Sequence, residues 1–138
     1  MSKIDSFSGK YRFLSNFWPC KVVWEGVEYP STEHAYQAAK LVNKEDRELV
    51  RNATAAEAKK LGRKFPMIDG WDNVRLNVMY DLCLQKFQNP ELKQKLLDTG
   101  DAILIEGNWW GDTFYGVCKG IGENNLGKIL MRIRSELV

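Results

Sequence analysis

One segment constrains this chain more than any other: Ser31-Thr-Glu-His-Ala-Tyr-Gln-Ala-Ala-Lys-Leu-Val42. Ser31 is a favourable N-cap, because its hydroxyl accepts from the N–H groups that open a helix, and the alanine-rich run predicts helix from Thr32 to Val42. Helical spacing then puts Glu33, Tyr36, Gln37 and Lys40 on one stripe and turns Ala35, Ala38, Ala39 and Val42 toward the core. A glutamate in the first turn lies near the positive end of the helix dipole, which favours its ionised form. Spacing alone favours an exposed helix with a Glu-to-Lys stripe; a stripe assembled for chemistry is the alternative. His34, the one histidine, reads as a structural residue with its hydrogen bonds satisfied.

The rest of the chain predicts short elements. Val22-Val23-Trp24 and Val27-Glu28-Tyr29 flank Glu25-Gly26 as a hairpin that Pro30 ends. A helix is expected over Glu45 to Asn52. Thr54-Ala-Ala-Glu57 is a capping box opening a helix that Gly62 closes. Asp72 is placed to cap the longest helix, along which Val74, Val78, Leu82 and Leu76, Tyr80, Cys83, Phe87 recur. Asn89-Pro90 starts another helix and Gly100 follows its end. Ala102 to Glu106 reads as a strand, Gly107 to Gly122 as a glycine-rich loop, and Asn125 to Leu137 as a final amphipathic helix. The fold class expected is α+β, a mostly helical single domain over residues 1–138 with helices packed around a small sheet.

With 20 basic and 18 acidic residues the charge is nearly balanced, which argues against binding nucleic acid by bulk charge. Cys20, Cys83 and Cys118 are widely spaced and form no CxxC pair. With only one histidine they complete no usual zinc set, so neither metal, cofactor nor disulfide framework is expected. No apolar run approaches the length that spans a bilayer, and the first residues lack a hydrophobic signal core, so a cytoplasmic protein without membrane contact is expected.

Three segments carry content unusual for packing alone: Phe13-Leu-Ser-Asn-Phe-Trp18, Tyr29 to Lys40, and Glu106-Gly-Asn-Trp-Trp-Gly-Asp112. Paired tryptophans beside Asp112 suit either a ring platform or plain core. Cleaving an N-riboside needs stabilisation of an oxocarbenium-like carbon, a proton for the leaving nitrogen and a positioned nucleophile. Glu33 and Asp112 have the chemistry to divide the first two roles. Lys40 offers another route, attack on the anomeric carbon and a Schiff base, if desolvation lowers its pKa.

These motifs together resemble the NADAR family. The shared features are the Ser15-Asn16-Phe17 segment, the Ser-x-Glu-His helix ending at Lys40, the Trp110-Gly111-Asp112 loop, and Asn125-Leu-Gly127-Lys-Ile-Leu-Met131. Leu61-Gly62-Arg63, Trp71 and Lys86-Phe87 fall where YbiA-like members carry similar residues. The resemblance implies a mixed α and β N-glycosidase. Its associated activities are hydrolysis of phosphoribosylamino intermediates of riboflavin synthesis and removal of ADP-ribose from modified guanine. It carries catalytic roles to Glu33, Lys40 and Asp112. Substrate-binding roles fall to Ser15, Asn16, Phe17, Tyr36, Gln37, Arg63, Trp71, Trp110, Gly111 and Asn125, with Asn16 on a ribose or phosphate oxygen and an indole on the base. No metal is implied. One departure is the short approach to Trp110 and the Thr-Phe-Tyr-Gly-Val-Cys run after Asp112, which bears on the leaving group accepted.

The leading expectation is therefore an N-glycosidase of a small ribosyl-phosphate or ADP-ribosyl substrate, with ADP-ribosylated DNA as an alternative carrier of the latter. A non-catalytic module binding NAD or ADP-ribose is the alternative from another class. A third reading has Trp109 and Trp110 stacking on unpaired bases and Lys59, Lys60, Arg63 and Lys64 contacting phosphates, although those cations read more simply as a solvated helix end.

Overall fold

Turn and capping signals cut the chain into short elements. A computed structural model describes residues Ser2–Val138. Strand β1 is Lys3–Ile4, followed by a 3-10 turn at Gly9–Leu14. Strands β2 (Pro19–Trp24) and β3 (Val27–Ser31) precede helices α1 (Thr32–Lys40), α2 (Lys44–Arg51), α3 (Ala55–Leu61) and α4 (Trp71–Lys86). Then come α5 (Pro90–Asp98), β4 (Ile103–Leu104), β5 (Gly107–Asn108), β6 (Val117–Cys118) and α6 (Asn125–Glu136). The chain is thus mixed helix and small sheet. Its strands form three two-stranded ladders, β1-β4, β2-β3 and β5-β6, where a single curled sheet was the expectation. The described residues fall into two compact units, Asn16–Lys86 and the segments up to Ser15 and from Phe87 onward.

In the unit Asn16–Lys86, α1 is the central element, packed by α2, α3, α4 and the β2-β3 hairpin. Ala35, Ala38 and Ala39 are almost wholly buried, so the small side chains admit neighbours on that side. The hairpin turns at Glu25-Gly26, both at positive φ. Pro30 lies inside β3, not beyond it, because a two-stranded ladder leaves one edge where a missing N–H costs nothing. Gln85 of α4 pins β2 in place of a further strand: its Oε1 accepts from Val23 N–H and its Nε2 donates to Val23 O, each at 2.8 Å.

Helix α1 stops at Lys40, two residues short of the expected end. Leu41 is drawn into an extended bridge with Met67, flanked by Val42 N–H to Pro66 O and Ile68 N–H to Lys40 O, and Val42 is left exposed. The capping box at Thr54 and Glu57 is formed as read. Asp72 does not cap α4, since the helix opens at Trp71 after Gly70 at φ +75°; Asp72 lies in the first turn, 3.8 Å from Arg75. Val74 and Leu76 are exposed, and the buried stripe of α4 is Trp71, Val78, Met79, Leu82, Cys83 and Lys86.

In the other unit, Asn89 caps α5 through Glu91 and Leu92 N–H groups, with Pro90 at the first turn. The expected strand over Ala102 to Glu106 is reduced to Ile103–Leu104, parallel to β1. Helix α6 packs on it so closely that a Cβ on Gly127 would overlap Leu104 O. Arg134 fastens α6 by donating to Thr99 Oγ1 at 2.8 Å and Ala102 O at 2.9 Å. The loop from Gly107 onward holds β5 and β6, a parallel pair that periodicity could not reveal in two residues each.

Candidate active site

Ser31 both ends β3 and caps α1, and its placement is secured by His34. The Ser31 hydroxyl accepts from His34 N–H and meets His34 Nδ1 at 2.6 Å, while His34 Nε2 meets Ala53 O at 2.7 Å. His34 is thus a satisfied structural histidine. The Asn16 carbonyl accepts from Glu33 N–H at 3.0 Å, which ties the Ser-Asn-Phe segment to the first turn of α1. Asn16 itself is held by sulfur: Nδ2 donates to Met79 Sδ at 3.5 Å and Oδ1 accepts from Cys83 Sγ at 3.9 Å.

The stripe on α1 is buried, which overturns the exposed-helix reading. Glu33, Tyr36 and Gln37 are 8%, 7% and 6% exposed, and Lys40 is half-buried. Spacing of three and four residues links them into a relay. Lys40 Nζ donates to Gln37 Oε1 at 3.2 Å, and Gln37 Nε2 donates to Glu33 Oε2 at 2.8 Å. Glycine at position 62 leaves room for this: a Cβ there would overlap Gln37 Oε1. Gly62 has φ −61°, so it serves close packing and not a left-handed helix end.

Burial pushes the Lys40 ammonium below its ordinary 10.5; the Glu33 carboxylate pulls it back up, and the Arg63 and Arg75 guanidiniums lower it further. The amine form is therefore more accessible than in a free lysine. Tyr36 packs on Trp71 with ring centroids 5.2 Å apart and planes at 58°, so an indole from α4 adjoins the stripe. Phe17 and Arg63 are exposed in the same unit.

The remaining candidates belong to the other unit. Asn108 and Asp112 pinch the loop between them: Asn108 Nδ2 donates to Asp112 O at 2.9 Å and Asp112 N–H to Asn108 Oδ1 at 3.0 Å. Asp112 Oδ1 accepts from Phe114 and Tyr115 N–H groups, and Asn125 Nδ2 donates to Phe114 O. Gly111 stands at φ +90°. The loop presents Trp109 at 85% and Trp110 at 49% exposure, edge to face at 5.6 Å, so neither indole is core. Ser15 is half-buried.

A family model, the NADAR domain, matches residues 5–138. The chain belongs to the NADAR family. The N-glycosidase YbiA of Escherichia coli K12 is 36% identical over 96% of this chain and 85% of its own length. A riboflavin biosynthesis protein of Vibrio vulnificus YJ016 is 40% identical over 91% of this chain, which spans only 35% of that protein. The NMR structure of E. coli YbiA matches with a TM-score of 0.86 at 33% identity, covering 99% of this chain and 84% of that one. The NADAR fold thus accounts for the mixture of helices and short ladders.

The burial of Lys86 was not read from the sequence. Lys86 is 2% exposed, and burial pushes its ammonium down to about 8. Its signal was present: Met79, Leu82, Cys83 and Lys86 recur on one stripe, which places a lysine among apolar residues. Asn77 and Asp81 were unremarked, and Trp24 was read only as a strand residue, although all three line a cleft with Trp71. Among the described residues no cluster of His, Cys, Asp and Glu is built to hold a metal, and no helix is long and apolar enough to cross a membrane.

Proposed function

We propose that this protein is a hydrolase that cleaves the N-glycosidic bond of a ribosyl-phosphate or ADP-ribosyl compound, with Lys40 as nucleophile and Glu33 as the carboxylate beside the reacting carbon. The observation that carries this reading is the buried relay Glu33–Gln37–Lys40 with its partly desolvated amine. Its relatives include proteins named as N-glycosidases and as riboflavin biosynthesis proteins, which supports the reaction class. The uninterrupted family match supports reading the whole chain as one such domain.

In the reaction, Lys40 Nζ displaces the leaving nitrogen at C1, and that nitrogen takes the bonding pair and a proton. The lysine riboside opens to a Schiff base as the ring oxygen is protonated. Water then adds to C1, the sugar aldehyde leaves and the amine is restored. Glu33 stabilises the positive charge that builds on C1 and shuttles the proton. Arg63 receives the phosphate and Asn16 a ribose oxygen; in the other unit, Asp112 and Asn125 shape the loop that bears the exposed Trp110.

The test is mass spectrometry of the protein incubated with a phosphoribosylamino-pyrimidine and, separately, with DNA carrying ADP-ribosyl-guanine, each with and without borohydride. Released sugar phosphate or ADP-ribose, with a reduced adduct on Lys40, is the expected result. Release without an adduct would replace the covalent route by direct attack of water. Binding without release from either substrate would sink the hydrolase reading in favour of an ADP-ribose-binding module.

A further inference from the structure

Two of the free cysteines, Cys20 on β2 and Cys83 on α4, meet a lysine that the roles above leave unused. Helix α4 is clamped to β2 by the Gln85 amide on the Val23 backbone, and Cys83 and Lys86 lie three residues apart on its buried stripe. The charges of both thiols act on the Lys86 ammonium, and that of Cys20 acts on Cys83, so the three groups form one cluster. Its members differ in access. Cys83 and Lys86 are 1% and 2% exposed. Cys20 is half-buried and lines a separate cleft of about 420 Å³ beside Pro30, Arg51 and Asn52. A small solute therefore reaches one sulfur of the cluster and not the other.

Both sulfurs also grip the same helical turn. Cys20 Sγ lies 3.9 Å from the hydroxyl of Thr32, the first residue of α1. Cys83 Sγ donates to Asn16 Oδ1, likewise at 3.9 Å, and the Asn16 carbonyl in turn accepts from Glu33 N–H. Thr32 and Glu33 are adjacent, so a change at either sulfur bears on the turn that carries the Glu33 carboxylate. Core packing accounts for one buried cysteine without further purpose. An ammonium set among two thiols is a different arrangement, because it favours the thiolate, which is the reactive form. Burial holds the Cys83 thiol up to about 12 against the pull of Lys86, so Cys83 keeps its proton until an electrophilic sulfur stands beside it.

We propose that Cys20 is an oxidation site with Cys83 as its resolving partner, and that a peroxide converts the pair to a reversible disulfide that loosens the first turn of α1. The Cys20 sulfur attacks one peroxide oxygen, the O–O bond breaks and a water leaves, which makes Cys20 a sulfenic acid. The Cys83 sulfur then attacks Cys20 Sγ and the S–O bond breaks. The Cys83 proton passes by way of the Lys86 amine to the departing hydroxide, which leaves as a second water. The peroxide takes up the two electrons that the two thiols lose, so no other reactant is needed. Once bridged, Cys83 has no S–H left to donate to Asn16.

The test treats the protein with hydrogen peroxide, alkylates the remaining thiols and identifies linked peptides by mass spectrometry, with and without reductant. A Cys20–Cys83 link that reductant reverses is the expected result. Sugar release by the bridged protein should fall at least about tenfold and return on reduction, since a displacement on the order of 1 Å at a reacting group can cost about 100-fold. Cys20→Ser should release sugar at the wild-type rate and keep that rate in peroxide. Cys83→Ala should form no bridge and should leave a Cys20 sulfenic acid that dimedone traps. Cys20 left reduced by peroxide, a wild-type Cys20 that runs on to the sulfinic acid, or a link to Cys118 would each overturn the proposal. Full turnover in the bridged protein, or inactivation that persists in Cys20→Ser, would overturn it equally. The link is read by mass and needs no catalysis. If the reduced protein releases no sugar, the hydrolase reading falls and the bridge is decided by the peptides alone.

Discussion

Gly62→Ala separates the chemistry of the α1 stripe from the stability of its helix. The added Cβ would overlap Gln37 Oε1 and lie 2.8 Å from Gln37 Cδ, so the amide has to leave its place between Glu33 and Lys40. The obstacle is the far end of a rotatable side chain, and Gly62 is right-handed at φ −61°, so the backbone resists nothing. At this right-handed position alanine also gains about 0.4–1 kcal/mol over glycine by narrowing the unfolded chain, which offsets part of the two lost bonds. The melting temperature should therefore move by no more than about 4 °C. The relay suffers more: a hydrogen bond to a charged group is worth about 1.5–3 kcal/mol, or roughly 10- to 150-fold in kcat/KM when it acts in the transition state. Steady-state sugar release by Gly62→Ala, Gln37→Ala and the double variant, alongside their melting curves, makes the comparison. Since both changes remove one element, the double variant should be no worse than Gln37→Ala alone. Turnover within twofold of wild type in Gly62→Ala, or additive losses in the double variant, would refute a working relay.

Three further outcomes are expected. If the Lys40 amine is the nucleophile, kcat/KM rises with pH to a plateau at the lowered Lys40 pKa, and Lys40→Arg loses more than about 100-fold; Glu33→Gln removes the charge that raises that pKa, so its residual activity should level off at lower pH. His34→Ala removes the ring partner of the Ser31 hydroxyl, which keeps its bond from the backbone N–H at position 34, and strands the Ala53 carbonyl; it should cost about 1–3 kcal/mol in urea unfolding, with kcat of the folded protein little changed. Burial holds Lys86 down to about 8 from 10.5 and Cys83 up to about 12 from 9.0. From about pH 8 the unfolded chain binds the extra lysine proton, so stability rises with pH; from about 9 the native thiol keeps a proton the unfolded chain loses, so the trends oppose. The melting temperature of the wild type should climb between pH 8 and 9 and then flatten, and Lys86→Met should abolish the climb.

What was legible in the sequence is what local chemistry decides. Caps at Ser31, Thr54 and Asn89 and the turn at Glu25-Gly26 are properties of a few adjacent residues, and all four stand where they were read. The errors fall where a distant partner overrides local preference. Leu41 leaves the helix because Met67 offers it a bridge, and β5 and β6 exist only through each other. The same division governs the site. Spacing correctly placed Glu33, Tyr36, Gln37 and Lys40 on one stripe, yet it also favoured exposing that stripe, because a helix with four polar positions on one face is ordinarily a surface helix. The stripe is buried because Asn16 tethers the first turn, Gly62 admits Gln37 at close quarters, and Trp71 covers Tyr36, three partners from three other segments. Each tolerates burial of polar atoms only because the relay satisfies them from within. A stripe paired internally in this way, with a lysine amine at its end, has no better structural use than an apolar one would have. That is the physical ground for reading it as chemistry.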